Sequence, residues 1–420
     1  MSTTPFSKFD LFNLIPQSAT EELKQNFISY SPPTVEMGLN LEKLAILFPE
    51  LADGVFKNEY FGKKHYLSKK NSWHSKYRSM DFMKDVSTHT FEKNHVHYSY
   101  SGKPVPHSEH GSILGSDIVR EISEKPDFSF RVAPLYRYSN KAQVLLENVE
   151  FLEDLFGAEV GLLTFFSKNN ESVIPPHWDT EDLIVCQLSG KKKWIFFDNK
   201  FKYPLREQKF GFDKDLCELN EKVLDEITLE EGDVLYLPKG LGHYAKAISG
   251  DSLHATYGIY HPSINDMMDY ALKMTIEAFT YTAESRKSFN SHQFNQADFF
   301  KARERLVEVL KEVPHEHFLK CWPTQYRLFN DERFQAVYGL AIVPKSHLWR
   351  SSVRFHVMNE GSEMKLHTYG RLFEIPKLVH DIFKTEIDKP TLNIEILKEN
   401  YSNEQVSFFW DFIQKLRIYV

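Results

Sequence analysis

A histidine and an aspartate stand two positions apart in PPHWDTEDLIV, at His177 and Asp179. In an extended strand, residues i and i+2 point to the same side. One segment can therefore offer an imidazole nitrogen and a carboxylate oxygen to a single ion. A third donor is available in GDVLYLPKGLGHYA, where His243 follows an apolar run and a glycine-rich turn. Two imidazoles and one carboxylate suit Fe(II), occupy one face of its coordination sphere and leave three positions open. Thiolates would draw zinc or iron–sulfur clusters instead, and Cys186, Cys217 and Cys321 have no CxxC or Cys/His zinc spacing. With 18 histidines in the chain, a lone His-x-Asp is a weak signal. It gains weight because the segments flanking it and the approach to His243 agree.

Lys191, Lys192 and Lys193 precede Trp194 in GKKKWIFFD. A lysine run usually marks a solvated face, but strand alternation separates these three. Lys192 shares a face with Trp194 and Phe196, whereas Lys191 and Lys193 face the other way. If the two aromatic residues point inward, Lys192 does too, and a buried ammonium needs an anionic partner. The distal carboxylate of 2-oxoglutarate would supply one.

These residues need a rigid frame, and the surrounding pattern predicts one. Between about 130 and 262, short apolar runs alternate with turn residues: GLLTFF, EDLIVCQL, KKWIFFD, DVLYLP and HATYGIY, with Gly190, Gly232, Gly240 and Gly242 at the breaks. This is the signature of a β-sandwich or barrel. Before it, LEKLAILFPELADGVF has Leu41, Leu44, Leu47 and Leu51 spaced for one helical face, and residues 63–101 read as loops with short strands. After it, Ser263 can cap a helix carrying Ile264, Met267, Met268, Ala271, Leu272 and Ile276. A further helix through DFFKARERLVEVLKEV ends at Pro314. From about 326, the strands AVYGLAIVP and SSVRFHVM mix with the amphipathic helices PKLVHDIFK and NEQVSFFWDFIQKLR, an order that looks like a small winged-helix module.

The joined motifs resemble those of the JmjC-type oxygenases, most closely their ribosomal oxygenase branch. The match runs through His177-x-Asp179, then Gln187, Gly190, Lys192 and Trp194, then Gly232 to His243, then SLHAT at 252–256. The resemblance implies a mixed α+β chain with a double-stranded β-helix (jelly-roll, cupin-like) core. It implies an N-terminal extension over 1–100, the core over 101–262, a helical dimerisation region over 263–325 and a winged-helix-like domain over 326–420. It assigns Fe(II) to His177, Asp179 and His243, and the 2-oxoglutarate carboxylate to Lys192. Two departures stand out. Trp178 replaces the usual tyrosine between the two ligands, and GLLTFF lacks the asparagine often found near the co-substrate. The hydroxyls of Thr164 and Thr256 are candidate replacements. His254 reads as a hydrogen-bonded core histidine rather than a fourth ligand.

The implied reaction is hydroxylation of a protein or peptide side chain, a ribosomal protein being one candidate, with 2-oxoglutarate converted to succinate and CO2. A peptide natural-product tailoring hydroxylase and a non-catalytic cupin-fold metal-binding protein are the competing readings. Composition narrows the field further. The chain has 420 residues, a net charge of −7 and a pI near 6.2, which argues against a dedicated nucleic-acid binder. From Tyr326 onward, 13 Lys and Arg face 12 Asp and Glu, so a docking role suits the last module better than DNA binding. The N-terminus has no basic region followed by an apolar one, and no apolar run is long enough to span a bilayer. Three scattered cysteines give the expectation of a cytoplasmic protein, and the helical segment at 263–313 that of a two-fold homodimer.

Overall fold

The aromatic and β-branched runs between 159 and 260 form strands because each can bury a face, and several bury both. In a computed structural model, residues 39–312 and 347–415 are described, apart from 52–53, 74–76, 78, 102, 106–110, 134, 136–137, 139–142, 169–170, 200–203, 206–218, 289–294, 350–354, 361–362, 369–370 and 388–390. The chain divides into two units, Met1–His261 and Pro262–Val420.

The first unit is built on an antiparallel sheet whose strands are β1 (Tyr66–Ser68), β3 (Val96–Tyr100), β4 (Lys103–Pro104), β6 (Phe128–Val132), β7 (Glu159–Ser167), β8 (Asp182–Asn199), β9 (Leu219–Leu229), β10 (Val234–Leu237) and β11 (Gly242–Tyr260). The order is β1-β10-β8-β11-β7-β6-β3-β4, with β9 on the side of β8. A separate pair joins β2 (Thr90–Glu92) to β5 (Ser112–Leu114). The sheet thus draws strands from residues 66–68 and 96–100, ahead of the segment expected to hold the core.

The two long strands are each broken in the middle. The register of β11 on β8 shifts between Ile248 and His254, opposite Gly190. The first half of β8 pairs with β10 and the second half of β11; its second half pairs with β9 and the first half of β11. β8 therefore serves two neighbours at each end, and the sheet can roll around an apolar interior, as in a jelly-roll. Leu183, Val185, Trp194, Phe196, Leu229 and Leu235 meet there.

Outside, the helix α4 (Gln143–Phe156) buries Leu145, Val149, Leu152 and Phe156. Asn148 on α4 donates to the Tyr257 hydroxyl on β11 at 2.9 Å. Burial on both faces explains why β7 lacks clean polar–apolar alternation. The other helices of this unit are α1 (Leu41–Leu47), α2 (Ser79–Thr88) and α3 (Gly115–Glu124). The helix expected to run on from Leu41 through Leu51 stops at Leu47. Pro49 is the reason: its ring disfavours helical backbone at Phe48 and removes a donor. Leu44 and Leu47 are buried, Leu41 is exposed, and a π-helical turn follows at Phe56–Tyr60.

In the second unit, α5 (Ile264–Phe279) starts at a capping box: the Ser263 hydroxyl accepts from Asp266 N at 3.2 Å, and the Asp266 carboxylate accepts from Ser263 N at 2.7 Å. The helix α6 spans Gln296–Glu312, and the expected stop at Pro314 lies outside the described residues. So does the expected strand AVYGLAIVP. Beyond it, β12 (His347–Trp349) pairs with β16 (Thr391–Asn393), and β13 (Phe355–Glu360), β14 (Glu363–Thr368) and β15 (Arg371–Ile375) form a three-stranded sheet. With α7 (His380–Glu386), α8 (Ile394–Asn400) and α9 (Asn403–Lys415) they enclose a core that includes Leu366, Ile382, Phe383, Phe409 and Ile413. Among the described residues, no helix is long and apolar enough to cross a membrane.

Gly190 carries the bend in β8. Its φ is +69°, and a Cβ there would sit 2.0 Å from the Asp251 carbonyl oxygen. Gly190→Ala is expected to destabilise the first unit by at least about 2 kcal/mol, from left-handed strain plus this clash. Chemical denaturation of the two proteins measures the difference.

Candidate metal centre

His177 and His243 lie on opposite sides of a short antiparallel bridge and exchange both backbone hydrogen bonds. His177 N donates to His243 O at 3.0 Å, and His243 N donates to His177 O at 2.7 Å. Directly opposed residues project to the same face, and the two imidazole centroids are 4.4 Å apart. Asp179 follows two residues on, and its carbonyl accepts from Gly240 N at 2.8 Å. The segment from His177 is therefore extended, as the His-x-Asp spacing requires, although the continuous strand starts only at Asp182.

Both rings are fixed by backbone carbonyls. Nδ1 of His177 lies 2.8 Å from Pro175 O, and Nδ1 of His243 lies 3.0 Å from Leu241 O. A carbonyl only accepts, so each Nδ1 carries the proton and each Nε2 keeps its lone pair for a ligand role. The two Nε2 atoms lie 3.6 and 3.5 Å from Asp179 Oδ2, and one ligand atom from each of the three residues falls within 4.8 Å of the others. Burial, together with any charge on His177, lowers the His243 pKa to about 4, against the opposing pull of Asp179, so its imidazole is neutral near pH 7. The donor set thus fits a divalent first-row metal, Fe(II) included. Among the described residues this is the one such cluster.

Lys192 is 2% exposed. Its Nζ donates to Ser167 Oγ at 2.9 Å and lies 3.3 Å from Nδ1 of His254. Among the described residues no carboxylate pairs with it, and burial pulls its pKa down to about 7. His254 stacks flat on Phe165, with centroids 4.8 Å apart, and burial followed by the adjacent lysine charge holds its pKa well below the usual range. It is a core histidine and does not belong to the metal cluster. Lys191 and Lys193 point outward, each 2.6 Å from a glutamate, Glu230 just past β9 and Glu226 within it. Trp194 joins the two halves of the site, its ring 5.7 Å from that of His243 and 5.8 Å from that of His254. Its Nε1 and the Oε1 of Gln187 are buried without a hydrogen-bond partner. An unpaired ammonium and an unpaired indole N–H on one inner face are what an anionic co-substrate would satisfy.

The two threonines part company. Thr256 stands opposite Leu163 and Val185, on the face of β11 that also holds His254, and so faces inward with Lys192. Thr164, expected beside the co-substrate, stands opposite Ala255 and Val132. That is the face of β7 carrying Phe166, which stacks on Phe82 and packs at a tilt against Phe130, away from the His177–Asp179–His243 cluster. One residue of strand parity separates it from the site, and its hydroxyl is buried without a partner. Ser167 contacts Lys192 in its stead, a role the sequence did not mark.

Three more polar residues gather near Asp179. Arg131 stands opposite Phe165 and so faces inward; burial lowers its pKa, opposed by the negative charge of Asp179, the Tyr260 phenol and the Glu181 carboxylate. Glu181 accepts from Thr180 Oγ1 at 2.7 Å and from the Tyr260 hydroxyl at 3.2 Å. Its i+2 spacing from Asp179 was a signal the sequence offered for this placement; Arg131 and Tyr260 had none.

Residues 140–267 match the JmjC domain family model. That segment is similar to JmjC domains. Among curated proteins, the chain is 24% identical over 180 residues to the bifunctional lysine-specific demethylase and histidyl-hydroxylase NO66 of Drosophila erecta, covering 40% of this chain and 27% of that one. It is 30% identical over 135 residues to ribosomal oxygenase 1 of Gallus gallus, covering 31% and 22%. The chain thus spans about a quarter of the length of these relatives. Among solved structures it resembles the Escherichia coli ribosomal oxygenase YcfD in complex with cobalt and succinic acid, with a TM-score of 0.52 and 14% identity over 91% of this chain and 98% of that one. That likeness supports the jelly-roll fold of the JmjC core.

The buried Lys192 predicts a pH signature for the ligand-free protein. Its folded pKa, about 7, lies below the unfolded value of 10.5. Between these values the unfolded chain binds the extra proton, so stability rises with pH across the window. Lys192→Met removes the burial cost. It is expected to be more stable than the parent at pH 7, by a few kcal/mol, and to lose most of that advantage by pH 10. Urea melts of both proteins at several pH values measure this.

Proposed function

We propose that the JmjC domain of this chain is an Fe(II)- and 2-oxoglutarate-dependent oxygenase that hydroxylates a side chain of a protein or peptide. The observation that carries the reading is the pairing, on one inner face, of the His177–Asp179–His243 cluster with a buried Lys192 that has no counter-anion. The names of the relatives, a histidyl-hydroxylase and a ribosomal oxygenase, favour a ribosomal protein as substrate. The cobalt and succinic acid bound to YcfD agree with a metal and a dicarboxylate side by side.

With Fe(II) and 2-oxoglutarate bound, such a centre couples decarboxylation to succinate with transfer of one oxygen atom of O2 into a C–H bond. The protein's part is placement. His177 and His243, held by their Nδ1–H bonds, would present Nε2 to the metal, and Asp179 would supply the anionic donor. Lys192, steadied by Ser167, would bind the distal carboxylate, with the Thr256 hydroxyl and the Trp194 N–H on the same side. Thr164, on the opposite face of β7, has no part in this set. The aromatic rings of Trp194 and Phe196 line the interior and keep water from it. Arg131, Glu181 and Tyr260 stand beside Asp179, where an incoming side chain would approach.

The remaining chain is read as support: an extension over 1–100 ahead of the core over 101–262, a dimerisation region over 263–325 and a winged-helix-like docking domain over 326–420. On α5, Ile264, Met268, Leu272 and Ile276 form an exposed apolar stripe, which favours a two-fold homodimer. The sparse, odd set of cysteines favours the cytoplasm, and the acidic balance of the whole chain disfavours nucleic acid.

Succinate release from 2-oxoglutarate in the presence of Fe(II) and ribosomal proteins tests the reading, with intact-mass analysis for one added oxygen. His177→Ala is expected to lower turnover at least about a hundredfold, and full turnover by this variant overturns the assignment. Lys192→Met is expected to weaken 2-oxoglutarate binding about ten- to a hundredfold, the loss of one charge-assisted contact, with metal affinity kept. For the dimer, Met268→Glu with Leu272→Glu is expected to give a monomer by light scattering.

A further inference from the structure

Asp182 is 2% exposed and lies three residues beyond Asp179. A buried carboxylate is retained only when it is paired and hydrogen-bonded. Its Oδ1 accepts from Lys239 N at 2.8 Å and from the Tyr236 hydroxyl at 3.3 Å, and its Oδ2 lies 3.2 Å from Nε2 of His261. These partners come from β10, from the end of β11 and from the turn that joins the two strands.

That turn, Pro238–Leu241, leads straight into His243. It is closed by Leu241 N donating to Pro238 O at 3.2 Å, with Gly240 at φ +77°, the pattern of a type II turn. Its atoms set the metal cluster from two directions. Gly240 N holds the Asp179 carbonyl at 2.8 Å, and Leu241 O fixes the His243 ring at 3.0 Å. Lys239 N is the turn's tie to β8, and Asp182 receives it. Among its described partners, Asp182 has neither histidine ligand, yet it fixes the turn that orients one of them and braces the aspartate.

We propose that Asp182 is a positioning residue of the metal centre: its carboxylate tethers the Pro238–Leu241 turn to the start of β8 and so holds His243 in register with His177 and Asp179. The proposal rests on those three residues being metal ligands, and the experiment separates the two claims.

Co(II) binding to the full chain is followed by quenching of tryptophan fluorescence and by the visible Co(II) spectrum. Asp182→Ala is expected to weaken Co(II) binding about ten- to a hundredfold, the usual effect of losing a group that orients a ligand, and to alter the visible spectrum. Asp182→Asn keeps an acceptor for Lys239 N and is expected to restore affinity to within about threefold of the parent. Lys239→Pro offers a second route that does not disturb the carboxylate itself. Proline suits the second position of a type II turn and removes only the N–H, and about a tenfold loss is expected. Asn148→Ala, which breaks the bond to Tyr257 on the outer face of the sheet, supplies the comparison: it should lower the thermal midpoint and leave Co(II) affinity unchanged.

The proposal is overturned if Asp182→Ala, or Lys239→Pro where the alanine variant does not fold, binds Co(II) like the parent. It is equally overturned if Asn148→Ala weakens binding as much at the same loss of stability, because the role would then be general. His177→Ala tests the premise: undiminished Co(II) binding by that variant removes the metal centre itself, whatever Asp182 does.

Discussion

The reciprocal pair of backbone hydrogen bonds between His177 and His243 is the constraint on which the site depends. It fixes two residues, far apart in the chain, as direct neighbours with side chains on one face. On its other side, His243 stands opposite Phe196 of β8. The histidine thus sits in the middle of a three-strand row, where sideways drift would break bonds on both flanks. The segment carrying His177 runs into β8, and His243 begins β11, the two strands that share the longest ladder in the sheet. Much of the unit can be understood as keeping those strands in register. The bend at Gly190 lets β8 pair with β10 at one end and β9 at the other. The helix α4 covers the outer face and is pinned to it through Asn148 and Tyr257.

How far this could be read beforehand depended on whether a local rule decided the outcome. His177, Asp179 and Lys192 were legible because strand parity is a rule of period two that holds within a short segment, and the aromatic residues at 194 and 196 showed which face was inner. Parity failed to place Thr164 because β7 is buried on both faces and offers no alternation to tell inside from outside. Only the register does so, setting Thr256 against Leu163 and leaving Thr164 with Ala255. The same ambiguity hid Ser167, one strand-turn beyond Phe165. Arg131 was invisible for another reason. Its strand, β6, reaches the site by pairing with β7, and long-range pairing has no local signature. The helix expected to continue past Leu47 shows the reverse case, where leucine spacing suggested continuity and a single proline, two residues on, decided the end.

The charges of the inner face follow from the same geometry. Arg131 and Lys192 both bring a positive group inward, but they are met differently. Arg131 lies near the carboxylates of Asp179 and Glu181, so its charge is answered from within the protein. Lys192 has a serine hydroxyl and a histidine that burial and the lysine itself keep neutral. A chain that accepts the cost of an unanswered ammonium folds less stably unless something binds there, and a ligand that binds only the folded state returns that stability by mass action. The asymmetry therefore has a direction. An anion entering the interior gains most beside Lys192, and least beside Arg131, where acidic groups already stand.

That direction also sorts the two sides of the metal cluster. On the Arg131 side, Gly161 and Gly258 are direct cross-strand partners, and neither carries a Cβ. A Cβ on Gly258 would lie 3.1 Å from Glu181 Cγ and 3.6 Å from the Tyr260 ring, so the paired glycines give those two side chains room to meet. The result is a polar wall in which Arg131 is answered by the Asp179 and Glu181 carboxylates. On the Lys192 side, the buried Trp194 and Phe196 make the surroundings apolar, which strengthens the pull of the single uncompensated charge. An anion is favoured on the positive, apolar side. The two walls are thus kept apart by the same strands that bring His177, Asp179 and His243 together.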